Sequence, residues 1–318
     1  MNKLIRVSVV QVVHVVSIFF LSAVAPFVLA SGPDCDDPSA AAYGTPDVDM
    51  DGFFIGANGC LYDPDLVLSD DVPVVGREYD TGQELLFVIN GANTKSLHID
   101  VRLRSIAILK KRPVVGIFNA PYENVLEEIF KFIDPKNKVA MTVRSEAYRR
   151  VMDGRRFAVL ALSQSGFMVG RGLTRLSSDL FSAFPLMYFY YRHKLLGLVD
   201  AETVGAMGLQ YPDGPNYVHY VNKRDITPFL AGVMASGAQP GRGSVIATFY
   251  YENDNCSIGS LPLDEYPGEG AELSEDLRLG LSPAVHSICS YAASGFPFKA
   301  LRDFAPKRGF AEVPLDLE

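Results

Sequence analysis

Three side chains far apart in this chain have the types that acyl-transfer chemistry needs. Ser163 lies in Ala161-Leu162-Ser163-Gln164-Ser165-Gly166, Asp225 in Asn222-Lys223-Arg224-Asp225-Ile226-Thr227-Pro228, and His286 in Ala284-Val285-His286-Ser287-Ile288-Cys289. A serine hydroxyl is a weak nucleophile until a base takes its proton, and an imidazole serves best when a carboxylate holds its tautomer. Serine, acid and histidine follow one another in that chain order. Together they could supply the nucleophile, the base and the acid of an acyl transfer.

The setting of each residue narrows the choice. The apolar run 157–162 stops at Ser163, and a helical pattern follows at once. Small residues stand two before it (Ala161) and two after it (Ser165), as a tight strand-to-helix turn that lifts one serine from a sheet requires. The usual turn has glycine at both places. Ser165 is the competing nucleophile, but Phe167 stands at its +2 position, where a bulky ring is hard to fit, so Ser163 is preferred. Asp225 comes just past the apolar run 217–222, where open parallel sheets present their catalytic groups; Asp213 and Asp254 are alternatives. His286 follows the last clear strand, 244–251. His219 falls inside a strand and reads as a packed core histidine, His98 falls in a helix, and His193 is a further competitor.

The elements that must position these residues alternate. Strand signals cover 84–89, 113–118, 157–162, 204–208, 217–222 and 244–251. Helical patterns begin near Thr94 or Ser96, at Asn124 (through Ile133) and near Val139 (to Met152, closed by Gly154), and again after Ser163. Positive charge at Lys110-Lys111-Arg112 suits the C-terminal end of the first of these helices. This alternation predicts an α/β fold with a mainly parallel central sheet flanked by helices. The aromatic stretch 181–191 reads as core packing or a cap on the sheet, with the wall of an apolar pocket as its functional reading.

Composition bounds the rest. The chain has 318 residues, 48% hydrophobic and 21% charged, enough for a sizeable core. Its net charge of −8 and the lack of a basic stripe argue against nucleic-acid binding. Lys3 and Arg6 precede an apolar run to about Ala30, with small residues at Val28-Leu29-Ala30. Residues 1–30 therefore read as a signal peptide or an N-terminal membrane anchor, and the protein as exported or membrane-anchored through residues 7–30. Residues 31–80 read as an acidic, Pro/Gly-rich arm with a strand or two near 53–55, and 81–318 as the main domain. The acidic stretch 252–282 is expected to form a loop and a possible lid.

Four cysteines (Cys35, Cys60, Cys256, Cys289) permit two disulfides, Cys35–Cys60 with Cys256–Cys289 being the local pairing among three possible ones. Asp47, Asp49 and Asp51 alternate as at the start of a calcium loop, but Asn58 stands where the closing glutamate belongs. No metal and no cofactor is expected.

The stretch from about 84 to 295 resembles a serine hydrolase of the α/β-hydrolase superfamily. Leu162-Ser163-Gln164-Ser165-Gly166 is similar to the His-Ser-Gln-Gly-Gly turn of many lipases and esterases. Asn222, Asp225 and Pro228 resemble the acid loop, and His286 with Tyr291 the histidine segment. The chain departs from that pattern at 161, 165 and 162, and at Asn90-Gly91, where His-Gly often stands. The resemblance implies Ser163 as nucleophile, His286 as base and Asp225 as its partner. The oxyanion would be held by the backbone N–H of Gln164 and a second N–H at Gly91 or Ala92. Partners would then be a small-molecule or lipid acyl substrate, with possible membrane association. The alternative is an inactive hydrolase fold acting as a surface or membrane-associated binding module, which the replaced glycines would suit.

Overall fold

Short runs of Val, Ile, Leu, Phe and Ala, apolar on both faces, are what a buried parallel sheet requires. The runs Leu86–Ile89, Val114–Ile117 and Phe157–Leu162 are buried at every position. The computed structural model describes residues 40–42, 50–79, 84–91, 96–120, 131, 134, 136–185, 187–223, 225, 227–249 and 311–314. Among the described residues ten strands form one sheet: β1 (Ala40–Ala42), β2 (Phe54–Ile55), β3 (Cys60–Tyr62), β4 (Leu86–Ile89), β5 (Val114–Ile117), β6 (Phe157–Leu162), β7 (Val199–Val204), β8 (Asn216–Asn222), β9 (Val245–Phe249) and β10 (Ala311–Pro314). Their spatial order is β1-β3-β2-β5-β4-β6-β7-β8-β9-β10. Every pair from β5 to β10 is parallel, whereas β1, β2 and β3 add an antiparallel edge beside β5. The protein is an α/β protein with a mostly parallel sheet.

Among the described residues the α-helices are α1 (Ser96–Lys110), α2 (Lys138–Met152), α3 (Ser165–Ala183), α4 (Tyr188–Leu196) and the short α5 (Thr227–Ala231). Because side chains alternate across a strand, each strand feeds two cores. Phe87, Ile89, Phe157, Val159 and Ala161 pack with Val143 of α2 and Met168 and Leu173 of α3. Leu86, Val88, Ala158 and Leu160 pack with Ile99, Leu103 and Ile106, the buried stripe of α1. Helix α2 starts where Asn137 accepts a 2.8 Å hydrogen bond from the Ala140 N–H, the work of an N-cap. It ends at Gly154 in the left-handed region (φ 73°), which closes the last turn.

The sheet order places a topological switch in the middle. From β4 the chain passes through α1 to β5 on one side, while β6 lies on the other side of β4. The segments leaving β4 and β6 therefore diverge, and the crevice between their C-terminal ends is where such sheets bind ligands. Asn90-Gly91 leaves β4 there, and Ser163 leaves β6.

Four expectations change. The strand foreseen at 204–208 is β7 at Val199–Val204, and 205–208 is the loop after it. Asp200 and Glu202 disguised it, because carboxylates rarely enter a buried strand unpaired. Here Arg156 holds Asp200 with two guanidinium nitrogens, and buried Lys110 pairs with Glu202. A further strand, β10, follows the one taken as last and pairs parallel to β9.

Residues 50–79 do not sit apart as a solvated arm. They supply β2 and β3, and Ser69 and Asp70 bind Arg149 and Arg150 of α2. With Arg155 added, those guanidinium groups hold the Asp70 carboxyl well below the usual carboxylate range.

The aromatic stretch does not wall a pocket beside Ser163. Helix α3 starts at Ser165, and at 1.5 Å per residue Phe181 lies roughly 24 Å along it. Phe184 and Tyr191 pack with tilted rings 4.8 Å apart, while Phe181, Met187 and Tyr190 are more than half exposed.

Several expectations lie outside the described residues: segment 1–30, the helix start at Asn124, loop 252–282, and Cys35, Cys256 and Cys289. Cys60 is buried and carries no free thiol. Among the described residues no helix is long and apolar enough to cross a membrane.

Candidate active site

Ser163 has φ 54°, in the left-handed region. For an L-residue with a side chain this costs roughly 1–2 kcal/mol, and it persists only when the surroundings enforce it. Three hydrogen bonds do so. The Ser163 N–H donates to the Val204 carbonyl (3.0 Å), and the Ser163 carbonyl accepts from the N–H of Met207 (2.9 Å) and of Gly166 (3.2 Å). The chain thus turns sharply from β6 into α3 with its serine half-buried at the junction. Among the described residues the only other non-glycine with positive φ is Lys111, in the turn after α1. A strained serine between a strand and a helix is the geometry of a nucleophile elbow.

Ser165 is not an equivalent candidate. It is fully buried, its Oγ accepts from the Leu162 N–H (2.8 Å), and it faces the carbonyls of Leu162 (2.7 Å) and Ile89 (3.1 Å) as donor. Its hydroxyl closes the turn from inside, in the place where the usual pattern has glycine. The glycine that close packing demands stands one residue later. A Cβ on Gly166 would lie 2.5 Å from the Ala206 Cβ and the Met207 carbonyl, a distance real atoms do not show. Ala161 is buried in the core, where a methyl group fits.

The β4 end presses on the serine. A Cβ on Gly91 would lie 3.1 Å from the Ser163 Cβ and 3.2 Å from the Leu162 carbonyl. Sequence reasoning foresaw Gly91 but missed what holds it. The Asn119 N–H donates to Asn90 Oδ1 (2.9 Å), and Asn90 Nδ2 donates to the carbonyls of Asn119 (2.8 Å) and Gly91 (3.1 Å). Asn119 Nδ2 donates to the Asn90 carbonyl (3.2 Å) and to Gln164 Oε1 (3.1 Å). All three side chains are buried. The ends of β4, β5 and β6 are therefore joined by one side-chain network, which ties the backbone at Gly91 to that at Gln164. The signal was present in Asn90-Gly91 and Asn119-Ala120, amides placed just past two strands. Ala92 lies outside the described residues.

Asp225 lies just past β8, two strands from β6 and at the same sheet edge. It is buried, its N–H donates to the Asn222 carbonyl (2.9 Å), and its Oδ1 accepts from the Thr227 N–H (2.9 Å). At about 4.8 Å between strands, two strands put the acid's strand about 10 Å from the serine's. Asp213 is at the wrong edge: it precedes β8 and accepts from the Arg242 N–H (2.9 Å). Asp254 and His286 lie outside the described residues.

The other histidines have other settings. His219, in β8, is fully buried, with Nδ1 2.8 Å from Thr203 Oγ1 and Nε2 3.1 Å from the Pro240 carbonyl. Its Nε2–H donates to that carbonyl, so Nδ1 accepts from the threonine, and burial lowers its pKa to about 4. It is a neutral core group, stacked on Tyr217 at 5.6 Å. His193 is exposed near the end of α4.

Asp51, the last of the alternating aspartates, is put to structural use. Asp51 is buried and accepts from Lys131 Nζ (2.7 Å) and the Ala120 N–H (2.8 Å). Burial raises its pKa, and Lys131 opposes that shift. Among the described residues no group of three or more metal-ligating side chains converges.

Comparison of the chain with protein-family models, curated proteins and solved structures gives no match. The functional reading therefore rests on the site itself.

Proposed function

We propose that the protein is a serine hydrolase of the α/β-hydrolase type, acting on a carboxylic ester or thioester. The observation that carries this reading is the positive φ of Ser163 at a strand-to-helix junction beside the topological switch. His286 takes the hydroxyl proton as Ser163 Oγ attacks the carbonyl carbon, and Asp225 holds the imidazole and stabilises its charged form. The tetrahedral oxyanion is met by the backbone N–H of Gln164 and by one at Gly91 or Ala92. Each such donor is typically worth ~3 kcal/mol in the transition state. Collapse breaks the bond to the leaving group, which departs with the proton from His286. Water then repeats the cycle on the acyl-enzyme and returns Ser163 and the free acid.

The position of Asp225, two strands away on the same edge, supports the acid's role. The Asn90–Asn119–Gln164 network supports the oxyanion role, because preorganised donors need no reordering during reaction. The competing reading of an inactive binding module drew on the replaced glycines. Ser165 accommodates one replacement through its own hydrogen bonds, and Ala161 the other through its size.

A fluorophosphonate probe tests the reading directly. The purified full chain is expected to be labelled at Ser163, and Ser163→Ala to lose the label. An unlabelled wild type, or labelling that persists in Ser163→Ala, would remove the basis for this function.

A further inference from the structure

Beside Ser163 stands an apolar surface that sequence reasoning did not single out. It is built from the loop after β7 and from α5 with the turn after it, two segments without a charged residue between 203 and 212 and between 226 and 241. They are joined firmly. The Gly208 N–H donates to the Ala231 carbonyl (2.7 Å), Met207 and Gly232 form an antiparallel bridge, and the Gln239 N–H donates to the Leu209 carbonyl (2.6 Å). A Cβ on Gly232 would lie 2.2 Å from the Ala206 carbonyl, so the two backbones touch. The same loop is bonded to the elbow through the Met207 N–H and the Ser163 carbonyl at 2.9 Å.

On this braced platform three large apolar side chains stay in water: Leu209 is 41% exposed, Phe229 38% and Leu230 47%. Scattered exposed leucines need no explanation, but here three large apolar side chains come from two segments whose backbones are bonded to each other, one of them bonded also to the elbow. The lack of charge argues against a headgroup or a peptide as the occupant. Continuity with the elbow makes the occupant part of the molecule that reacts there.

We propose that this platform, bordered by Met207, seats the acyl chain of the substrate, so that the protein acts on esters of longer fatty acids in preference to short acids. The inference rests on the serine-hydrolase reading above. A chain lying on a half-exposed surface gains part of the roughly fourfold that a fully buried methylene gives. It gains it only if it reaches Leu209, Phe229 and Leu230.

The test compares p-nitrophenyl acetate with p-nitrophenyl octanoate on the full chain. The wild type is expected to have a kcat/KM for the octanoate at least about 10-fold above that for the acetate. Phe229→Ser with Leu230→Ser should lower that ratio about 10-fold. Leu209→Ser, on the other segment, should lower it as well, which guards against a folding defect in the α5 variant. Phe181→Ser, at the far end of α3, should leave it in place. A wild-type ratio near one, or a ratio untouched by both platform variants, overturns the acyl-chain inference while leaving the hydrolase reading intact. Absence of hydrolysis of either ester together with an unlabelled Ser163 overturns the hydrolase reading, and this inference with it.

Discussion

Gly91 and Ser163 are in contact across the crevice between two parallel strands: a methyl group on Gly91 would stand 3.1 Å from the serine's Cβ. That approach is tighter than almost all real contacts between such atoms. Gly91→Ala is therefore expected to push the β4 loop or the elbow by a few tenths of an ångström. Because catalysis depends on position at that scale, labelling of Ser163 by a fluorophosphonate should slow by about 10- to 100-fold. The thermal midpoint should fall only slightly. Equal losses in labelling and stability would mean that Gly91 serves the fold and not the site.

The strained backbone at Ser163 gives an opposed pair of effects. Glycine adopts φ 54° without steric cost, whereas alanine keeps the strain. Ser163→Gly is expected to be more stable than Ser163→Ala by about 1 kcal/mol in urea unfolding, with both variants unlabelled.

Ser165→Ala should behave differently from either. It removes the acceptor of the buried Leu162 N–H and both carbonyl contacts of the hydroxyl. Leaving that donor unpaired costs about 1–3 kcal/mol. Unfolding midpoints should show that loss, and labelling, where the folded protein persists, should still occur at Ser163.

His219 makes stability depend on pH in a stated direction. Its folded-state pKa is near 4, below the ordinary value of 6.5. Between those values the unfolded chain binds a proton that the folded chain refuses, so stability is full above about pH 6.5 and is lost as the pH falls towards 4. The loss from this one group is about 2–3 kcal/mol by pH 4.5. His219→Gln should flatten the urea midpoint between pH 7.5 and 4.5 by that amount. An unchanged slope would show that the imidazole is protonated in the folded state.

Lys110 and Glu202 form a buried pair between α1 and β7. Burial lowers the Lys110 pKa, and the Glu202 carboxylate opposes that shift. Lys110→Met leaves the carboxylate buried without its cation and is expected to cost about 3–5 kcal/mol. Lys110→Met with Glu202→Met should recover most of this, since apolar replacement of a whole buried pair is often neutral. Thermal melts of the three variants check the order.

Much of the architecture could be read from local pattern. Strands β4, β5, β6 and β8 and helices α1 and α2 arise from apolar periodicity, capping residues and glycine stops, which act over a few residues. Strand β7 escaped that reading because its carboxylates look misplaced until Arg156 and Lys110, distant in sequence, are brought to them. The strand near 53–55 was legible and is β2, whereas β3 has too few residues to signal a pattern and is held by pairing with β1 and β2.

At the site, residue type and order led to the serine that the structure places in the left-handed turn after β6, and to the aspartate that follows β8 rather than the one that precedes it. Steric logic at the turn and position after a strand are local properties. What only the tertiary structure decided is which groups share the crevice. Asn119 lies 45 residues from Gln164 yet bonds its side chain, and the aromatic stretch, close to Ser163 in sequence, is carried away by the length of α3. The apolar surface beside the elbow comes instead from Leu209, Phe229 and Leu230, joined by backbone bonds between two loops. A parallel sheet gathers the ends of strands that are far apart in sequence, and which ends become neighbours depends on strand order, a property of the whole fold.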